Sequence, residues 1–194
     1  MMKVFLFLIF FLSEFMGYSQ DAPQGLEIKT PAPMFTATDQ YGKGVSLKEL
    51  LKKGSVVLIF YRGQWCPYCN KQLTAMEDSL TLITSRGATV VAVTPEKPEN
   101  ILKTIEKTKA SYAVLFDEGL KIMNDYKVAF QLEASVIEKY KGYGIDFSVA
   151  NGSNGANLPV PAVYIIDKKG IITYRYFDAN YRKRPSVKEI ASQL

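Results

Sequence analysis

Hydrophobic and polar positions follow two different periods in the middle of this chain. Residues 56–61, "VVLIFY", form a continuous apolar run that is typical of a strand buried on both faces. From Cys66 onward, apolar residues return at steps of three and four, which indicates one buried helix face ending near Gly87. They are Cys69, Leu73, Met76, Leu80 and Ile83. A second apolar run at 89–94 completes a predicted βαβ unit with parallel strands.

The segments on either side of this unit predict further elements. Upstream, the pattern predicts a strand, a glycine turn and a short helix opened by a capping box at Ser46 and Glu49. Downstream, it predicts a helix from Pro98, a strand at 112–117 and a helix at 120–126. Residues 131–158 contain the turn-rich stretch "NGSNGAN" and are interpreted as a loop or insertion.

The end of the chain predicts a β-hairpin followed by a helix. "PAVYIID" and "IITYRY" are two strands separated by a short Lys-Lys-Gly turn, and Ser186 with Glu189 has the spacing of a second capping box. This order predicts an α/β thioredoxin-like fold. Its mixed central sheet would combine the βαβ unit with the C-terminal hairpin and helix.

Length and the first residues predict the domain organisation. The 194 residues, 47% of them hydrophobic, are enough for one core. Residues 1–19 combine Lys3 with an apolar run and small residues, which predicts a cleaved signal peptide and an exported protein, periplasmic or secreted. Glu14 interrupts the run too early for a membrane span, so stable membrane insertion is not expected. Residues 20–30 would be a linker and 31–194 the folded domain.

Charge argues against nucleic acid as a partner. The formal net charge of +5 is spread along the chain, and the densest basic cluster, residues 181–184, is short. A long basic stripe that could neutralise successive phosphates is therefore missing.

The candidate chemistry lies in "YRGQWCPYCNKQL", which contains both cysteines of the chain, Cys66 and Cys69. A structural zinc site is disfavoured, since it needs four ligands and the chain has no histidine. A structural disulfide would close too short a loop to stabilise the fold much. The C-x-x-C spacing in a βαβ context favours a redox pair. Cys66 is expected to be the nucleophile, with its pKa lowered at the helix N-terminus, and the more buried Cys69 the resolving thiol.

Neighbouring residues are candidates for supporting roles. Pro67 suits the first turn of the helix, and Arg62 could place a cation near Cys66. Trp65 is interpreted first as packing at the edge of the core and second as a substrate contact. The peptide bond before Pro161 is predicted to be cis, facing the redox pair, by analogy with the fold.

Four stretches carry a resemblance to the peroxiredoxin-like branch of the alkyl hydroperoxide reductase and thiol-specific antioxidant family. They are "APMFTATDQYGKGVSLKEL", "FYRGQWCPYCNKQL", "LPVPAVYIIDKKG" and "YFDANYRKRPSVKEI". The resemblance implies that Cys66 reduces hydrogen peroxide or an alkyl hydroperoxide and becomes a sulfenic acid. Cys69 would then form a disulfide with it, which a thioredoxin-like donor reduces, without flavin, metal or other cofactor.

The chain departs from this family at two positions before the nucleophile. Peroxiredoxins carry P-x-x-x-T-x-x-C, but Ile59 and Gly63 occupy the proline and threonine positions here. The family's site also uses an arginine, for which Arg62, Arg175 and Arg182 are the candidates.

Two other functions stay open at this point. One is an exported thiol-disulfide oxidoreductase that acts on protein disulfides, and the other is a binding module with an idle disulfide. The expected partners are a peroxide or disulfide substrate and a thioredoxin-like reductant, with a homodimer as an open alternative to a monomer.

Overall fold

A computed structural model of the chain describes residues 22–194. The predicted signal peptide at 1–19 lies outside the described residues. None of the helices between residue 22 and the C-terminus combines the length and the apolar composition needed to cross a membrane.

The centre of the fold is a seven-stranded mixed sheet. Its strands are β1 Thr36–Asp39, β2 Gly44–Ser46, β3 Val56–Phe60, β4 Thr89–Thr94, β5 Ala113–Phe116, β8 Ala162–Ile166 and β9 Ile172–Phe177. Their order across the sheet is β2-β1-β5-β4-β3-β8-β9. The predicted βαβ unit is confirmed, because β3 pairs with β4 in parallel. The predicted hairpin is confirmed as well, because β8 and β9 pair antiparallel.

Helices cover both faces of this sheet. They are α1 Leu47–Leu51, α2 Pro67–Asp78, α3 Thr81–Thr84, α4 Pro98–Thr108, α5 Lys121–Asp125, α6 Ala134–Gly142, α7 Phe147–Asn151 and α8 Val187–Ala191. Alternate residues of β3 enter two different cores: Val57 and Ile59 pack with α2, α4 and α8, whereas Val56 and Leu58 pack with α1 and α5. The continuous apolar run in the sequence follows from this burial on two faces. The predicted thioredoxin-like α/β fold is thus confirmed.

Two local predictions about helix ends need correction. The single helix expected from Cys66 to Gly87 is two helices, because Ser79 leaves helical geometry (φ −118°, ψ 19°) between α2 and α3. Ser46 is the N-cap of α1, but its side chain makes no capping hydrogen bond. The capping bond at the second predicted site is present, since Ser186 accepts the backbone N–H of Glu189.

The segment at 131–158 is more ordered than a loop. It contains α6, α7 and a 3₁₀ turn at Gly152–Asn154, and its ends pair as a small antiparallel sheet, β6 Ala129–Gln131 with β7 Asn157–Pro159. The start of α7 is held by Asp146, which accepts the backbone N–H groups of Ser148 and Val149. Short helices interrupted by glycine turns leave little periodic signal in a sequence, which explains the missed elements.

Candidate active site

The two cysteines lie where the central strands of the sheet end. Because β3 and β4 run in parallel, the segments that follow them meet at the same edge of the sheet. The segment after β3 leads to Cys66, which is the N-cap of α2, and Pro67 is the first residue of that helix. The segment after β4 carries Glu96 to the same edge. The N-terminal end of α2 is therefore brought against residues from both strands.

The cysteine pair is reduced and buried in this structure. Cys66 is 1% exposed and Cys69 is 0% exposed. Cys69 lies deeper in the protein, as the sequence predicted. Cys66 Sγ accepts the backbone N–H of Cys69 at 3.4 Å. Cys66, at the helix N-terminus, thus has one backbone donor aimed at its sulfur.

The two thiols ionise as a coupled pair. Burial raises the pKa of Cys69, but the hydrogen bond from the Cys66 thiol and the charge of Arg184 outweigh it, so this pKa falls to about 6. The pKa of Cys66 is raised, first by its hydrogen bond to Cys69 and second by burial. Each thiol sets the ionisation of the other, so the predicted thiolate at Cys66 stays a prediction. The pair therefore carries one negative charge and one shared proton at neutral pH.

Arg62 lies in a cluster of aromatic rings beside the pair, as the sequence suggested for a cation near Cys66. Its guanidinium carbon is 4.9 Å from the ring centroid of Trp65, 5.6 Å from that of Tyr140 and 4.3 Å from that of Tyr181. It donates a hydrogen bond to the Tyr140 hydroxyl. The charge of Arg62 lowers the pKa of both cysteines, so it stabilises a thiolate on either sulfur.

Trp65 packs between residues from the segment at 131–158. Its ring meets Tyr140 edge-on at 5.2 Å and Phe147 at 5.6 Å between centroids. The packing interpretation of Trp65 is the one that these contacts support. The segment interpreted as a loop thus supplies part of the wall around the cysteines.

Arg184 is the cation in direct contact with the pair. Its Nη2 lies 3.6 Å from Cys69 Sγ, and its Nε donates to Gln72 Oε1 at 2.8 Å. A hydrogen bond to the carbonyl of Lys183, 2.7 Å long, also fixes the guanidinium. Arg184 is therefore held in place to stabilise a thiolate at Cys69.

Replacing Arg184 with methionine is expected to raise the apparent pKa of the cysteine pair by about one unit, because the thiolate loses its nearest cation. Thiolate ultraviolet absorbance between acidic and mildly alkaline pH measures this change. Arg182→Met is the matched control, since Arg182 is exposed and its guanidinium lies against Tyr181 at 5.7 Å. An unchanged pKa in Arg184→Met, or an equal shift in both variants, would contradict the assignment.

Gly63 is packed against two buried polar groups. A Cβ added there would lie 2.5 Å from Trp65 Nε1 and 2.7 Å from Glu96 Oε1. The threonine of the family pattern therefore has no space at this position.

Glu96 is fully buried, and its Oε2 accepts the backbone N–H of Gln64 at 2.7 Å. Burial raises the pKa of Glu96 to about 8, so its carboxyl group is mostly protonated at neutral pH.

Two other predictions about the site are corrected. The peptide bond before Pro161 is trans, as are all peptide bonds of the described residues. Pro161 lies in the two-residue link between β7 and β8, where both flanking segments are extended strands that a trans bond connects directly. Of the three candidate arginines, Arg175 forms an ion pair with Glu27 at 3.0 Å and packs on Phe177. Arg182 is exposed and lies on the Tyr181 ring, and Arg62 is the candidate whose charge acts on both cysteines.

The sequence contained signals for residues that the prediction missed. Arg184 belongs to the short basic cluster at residues 181–184, whose charge is the signal for a cation near a thiolate. Glu96 lies two residues after the end of a predicted strand, and the ends of parallel strands are where functional side chains collect. Tyr140 carried no signal, because its helix was not predicted.

Comparisons with known proteins identify the family of the chain. The model of the AhpC/TSA family matches residues 28–175. A chloroplastic peroxiredoxin Q from Gentiana triflora is 31% identical over 144 residues, which are 74% of this chain and 56% of the relative. The thiol-disulfide oxidoreductase ResA from Bacillus cereus is 28% identical over 126 residues, 64% of this chain and 71% of the relative. The chain thus spans little more than half the length of the peroxiredoxin Q relatives.

A solved structure shows the same fold. The peroxidoxin BcpB from Mycobacterium tuberculosis superimposes with a TM-score of 0.68 at 17% identity, over 87% of this chain and 96% of that one.

The predicted export to the periplasm or the extracellular space is wrong by these comparisons, because the peroxiredoxin Q relatives are chloroplastic proteins. N-terminal targeting segments are of several kinds, and a basic residue before an apolar run does not settle the destination. The family model spans most of the chain and includes both cysteines. This chain therefore belongs to the AhpC/TSA family and has the thioredoxin-like fold of peroxiredoxins.

Proposed function

We propose that this protein is a thiol-dependent peroxidase that reduces hydrogen peroxide or alkyl hydroperoxides with Cys66 and Cys69. The observation that carries the proposal is a buried C-x-x-C pair at the start of α2 that lies near two arginine side chains. A thiolate in such surroundings is both available and able to attack an electrophile. The peroxiredoxin Q relatives support a peroxide as that electrophile.

Cys66 is proposed as the attacking thiol. Its proton passes to Cys69 across the hydrogen bond between the two sulfurs, and the backbone N–H of Cys69 and the charge of Arg62 stabilise the resulting thiolate. The thiolate attacks one peroxide oxygen, the O–O bond breaks, and the departing oxygen takes the proton of Cys69. This step leaves a sulfenic acid on Cys66, an alcohol or water, and a thiolate on Cys69.

Cys69 is proposed as the resolving thiol. Its thiolate attacks the sulfur of the sulfenic acid, forms the Cys66–Cys69 disulfide and expels the oxygen as water after protonation. A thioredoxin-like dithiol donor then reduces the disulfide. Arg184 supports this step by holding the Cys69 thiolate, and Pro67 and Trp65 hold the segment that carries Cys66.

A thiol-disulfide oxidoreductase is the second candidate, and two observations favour it. ResA is among the relatives, and Gly63 lacks the hydroxyl group that the family pattern places near a peroxide. In this function, Cys66 would attack a protein disulfide instead of a peroxide oxygen.

A competition between the two electrophiles tests the proposal. The reduced protein is mixed with equal concentrations of hydrogen peroxide and a disulfide-containing protein such as insulin. The amounts of peroxide consumed and of protein disulfide reduced are then measured over time. Preferential consumption of peroxide is expected. Preferential reduction of the protein disulfide would replace the first candidate with the second.

The proposal extends to the domain boundaries, the reductant and the oligomeric state. Residues 31–194 form the catalytic domain, and the segment at 20–30 leads into it. The reductant is proposed to be a thioredoxin-like protein, and a homodimer stays a prediction.

A further inference from the structure

Glu96 is a buried acid beside the cysteine pair that the mechanism above does not use. We propose that Glu96 is the proton donor for disulfide formation, which it supports by protonating the oxygen that leaves Cys66. This inference rests on the proposed peroxidase function and adds a third side chain to its chemistry.

The position of Glu96 places its carboxyl group within the turn that carries Cys66. The Cys66 backbone N–H donates to the Gly63 carbonyl at 3.1 Å, so residues 63–66 form a turn. Inside that turn, Glu96 Oε2 accepts the Gln64 N–H at 2.7 Å. Glu96 Oε1 is buried and has no hydrogen-bond partner among the described residues, and it lies against Gly63. One oxygen thus anchors the carboxyl group, and the other is free to hold a proton.

The proton balance of the reaction leaves one proton to be supplied. The reduced pair holds one shared proton and the peroxide holds another, but the products are one alcohol and one water, which need three. The peroxide proton stays on the oxygen that is transferred to Cys66, and the shared proton passes from Cys69 to the departing alkoxide. When the Cys69 thiolate then attacks the sulfenic acid, hydroxide leaves and needs a third proton. Glu96 supplies it and becomes a carboxylate, which regains a proton when a dithiol donor reduces the disulfide.

The charges around Glu96 fit this role. Cys69 in α2 and Tyr61, which directly follows β3, face it from the core, and the negative charge of Cys69 helps to raise the pKa of Glu96. Lys103 and Lys107 in α4 act in the opposite direction, and Lys107 donates to the side-chain oxygen of Gln64. Burial has the largest effect on this pKa, so the acid stays protonated at neutral pH until the step that needs it.

The test separates the two chemical steps in the Glu96→Gln variant. Rapid quenching and intact-mass measurement follow the reduced protein after mixing with hydrogen peroxide, since sulfenic acid and disulfide differ in mass. We expect sulfenic acid to form at the wild-type rate, and disulfide to form about 100-fold more slowly at neutral pH. In the wild type, disulfide formation is expected to slow above about pH 8, where the acid is ionised. The variant is expected to lack this alkaline decrease.

Matched variants and a spectrum complete the design. Glu106→Gln removes an exposed carboxylate from α4 and is expected to match the wild type in both steps. Glu96→Asp retains an acid and is expected to recover part of the rate. Difference infrared spectroscopy of the wild type, reduced against oxidised, is expected to show a protonated carboxyl band only in the reduced state. Because this spectrum is recorded on the wild type, it tests the role of Glu96 even if Glu96→Gln does not fold.

The outcomes distinguish this inference from the proposed function. If the wild type forms no sulfenic acid with peroxide, the peroxidase proposal fails. If it does, but Glu96→Gln forms the disulfide at the wild-type rate with the same pH profile, the role of Glu96 is overturned. The absence of a carboxyl band that changes with oxidation would overturn it as well.

Discussion

Replacing Cys66 with serine is expected to abolish the fast reaction with peroxide, lowering its rate by at least about a thousandfold. Serine retains the shape of the N-cap of α2 but cannot form a thiolate. Cys69 remains in this variant, with Arg184 at 3.6 Å from its sulfur, so a charged thiol is still present. Loss of reactivity would therefore show that charge alone is insufficient and that the position of Cys66 decides which sulfur attacks.

The paired variant, Cys69→Ser, is expected to behave differently. Its first oxidation should slow by about tenfold, because Cys69 no longer delivers a proton to the departing oxygen, but it should persist because Cys66 retains Arg62 as a neighbouring cation. The sulfenic acid should then persist, because the resolving thiol is missing, and turnover with a thioredoxin-like donor should stop. Trapping the sulfenic acid with a dimedone-type reagent, followed by mass measurement, checks both variants. A trapped adduct on Cys69 in Cys66→Ser, with none in Cys69→Ser, would reverse the two roles.

The second large effect is expected from restoring the family's threonine. Gly63→Thr should lower the free energy of unfolding by about 3 kcal/mol, because the added Cβ would approach Trp65 Nε1 to 2.5 Å and Glu96 Oε1 to 2.7 Å. The indole of Trp65 and the carboxyl group of Glu96 would have to move, and both belong to the wall of the active site. Denaturant titration followed by circular dichroism measures the change.

Gly44→Thr is the matched control for this substitution. Gly44 begins β2, and a Cβ added there meets no atom within 4 Å. Its effect on the free energy of unfolding should stay within about 0.5 kcal/mol. If Gly63→Thr is as stable as this control and reacts faster with peroxide, then the site has room for threonine and Gly63 only deprives it of a hydroxyl group. The packing argument would then be wrong.

Much of the fold could be predicted because its core segments have strong local patterns. β3 is buried on both faces, so its five residues are all apolar, and α2 shows its buried face through Cys69, Leu73 and Met76. The helices at 131–158 escaped prediction because α6 has no fully buried residue and so lacks a clear apolar period.

The site could be predicted only as far as the sequence neighbours of Cys66. Arg184 is 115 residues away from Cys69 along the chain, and its contact depends on the path of the segment between β9 and α8. The ionisation of the pair depends on the same contact, since helix position alone favours a thiolate at Cys66. Periodicity and spacing in a sequence predict local elements, whereas the contact between Arg184 and Cys69 forms only in the tertiary fold.

The most direct test of a peroxidase at Cys66 is stopped-flow fluorescence of the reduced protein mixed with hydrogen peroxide. Trp65 is the only tryptophan of the chain and precedes Cys66 in the sequence, so its emission should report the oxidation of that sulfur. We expect a rapid change whose rate rises with peroxide concentration and which is absent in Cys66→Ser. A reaction no faster than that of an ordinary free thiol would contradict the peroxidase assignment and favour exchange with protein disulfides.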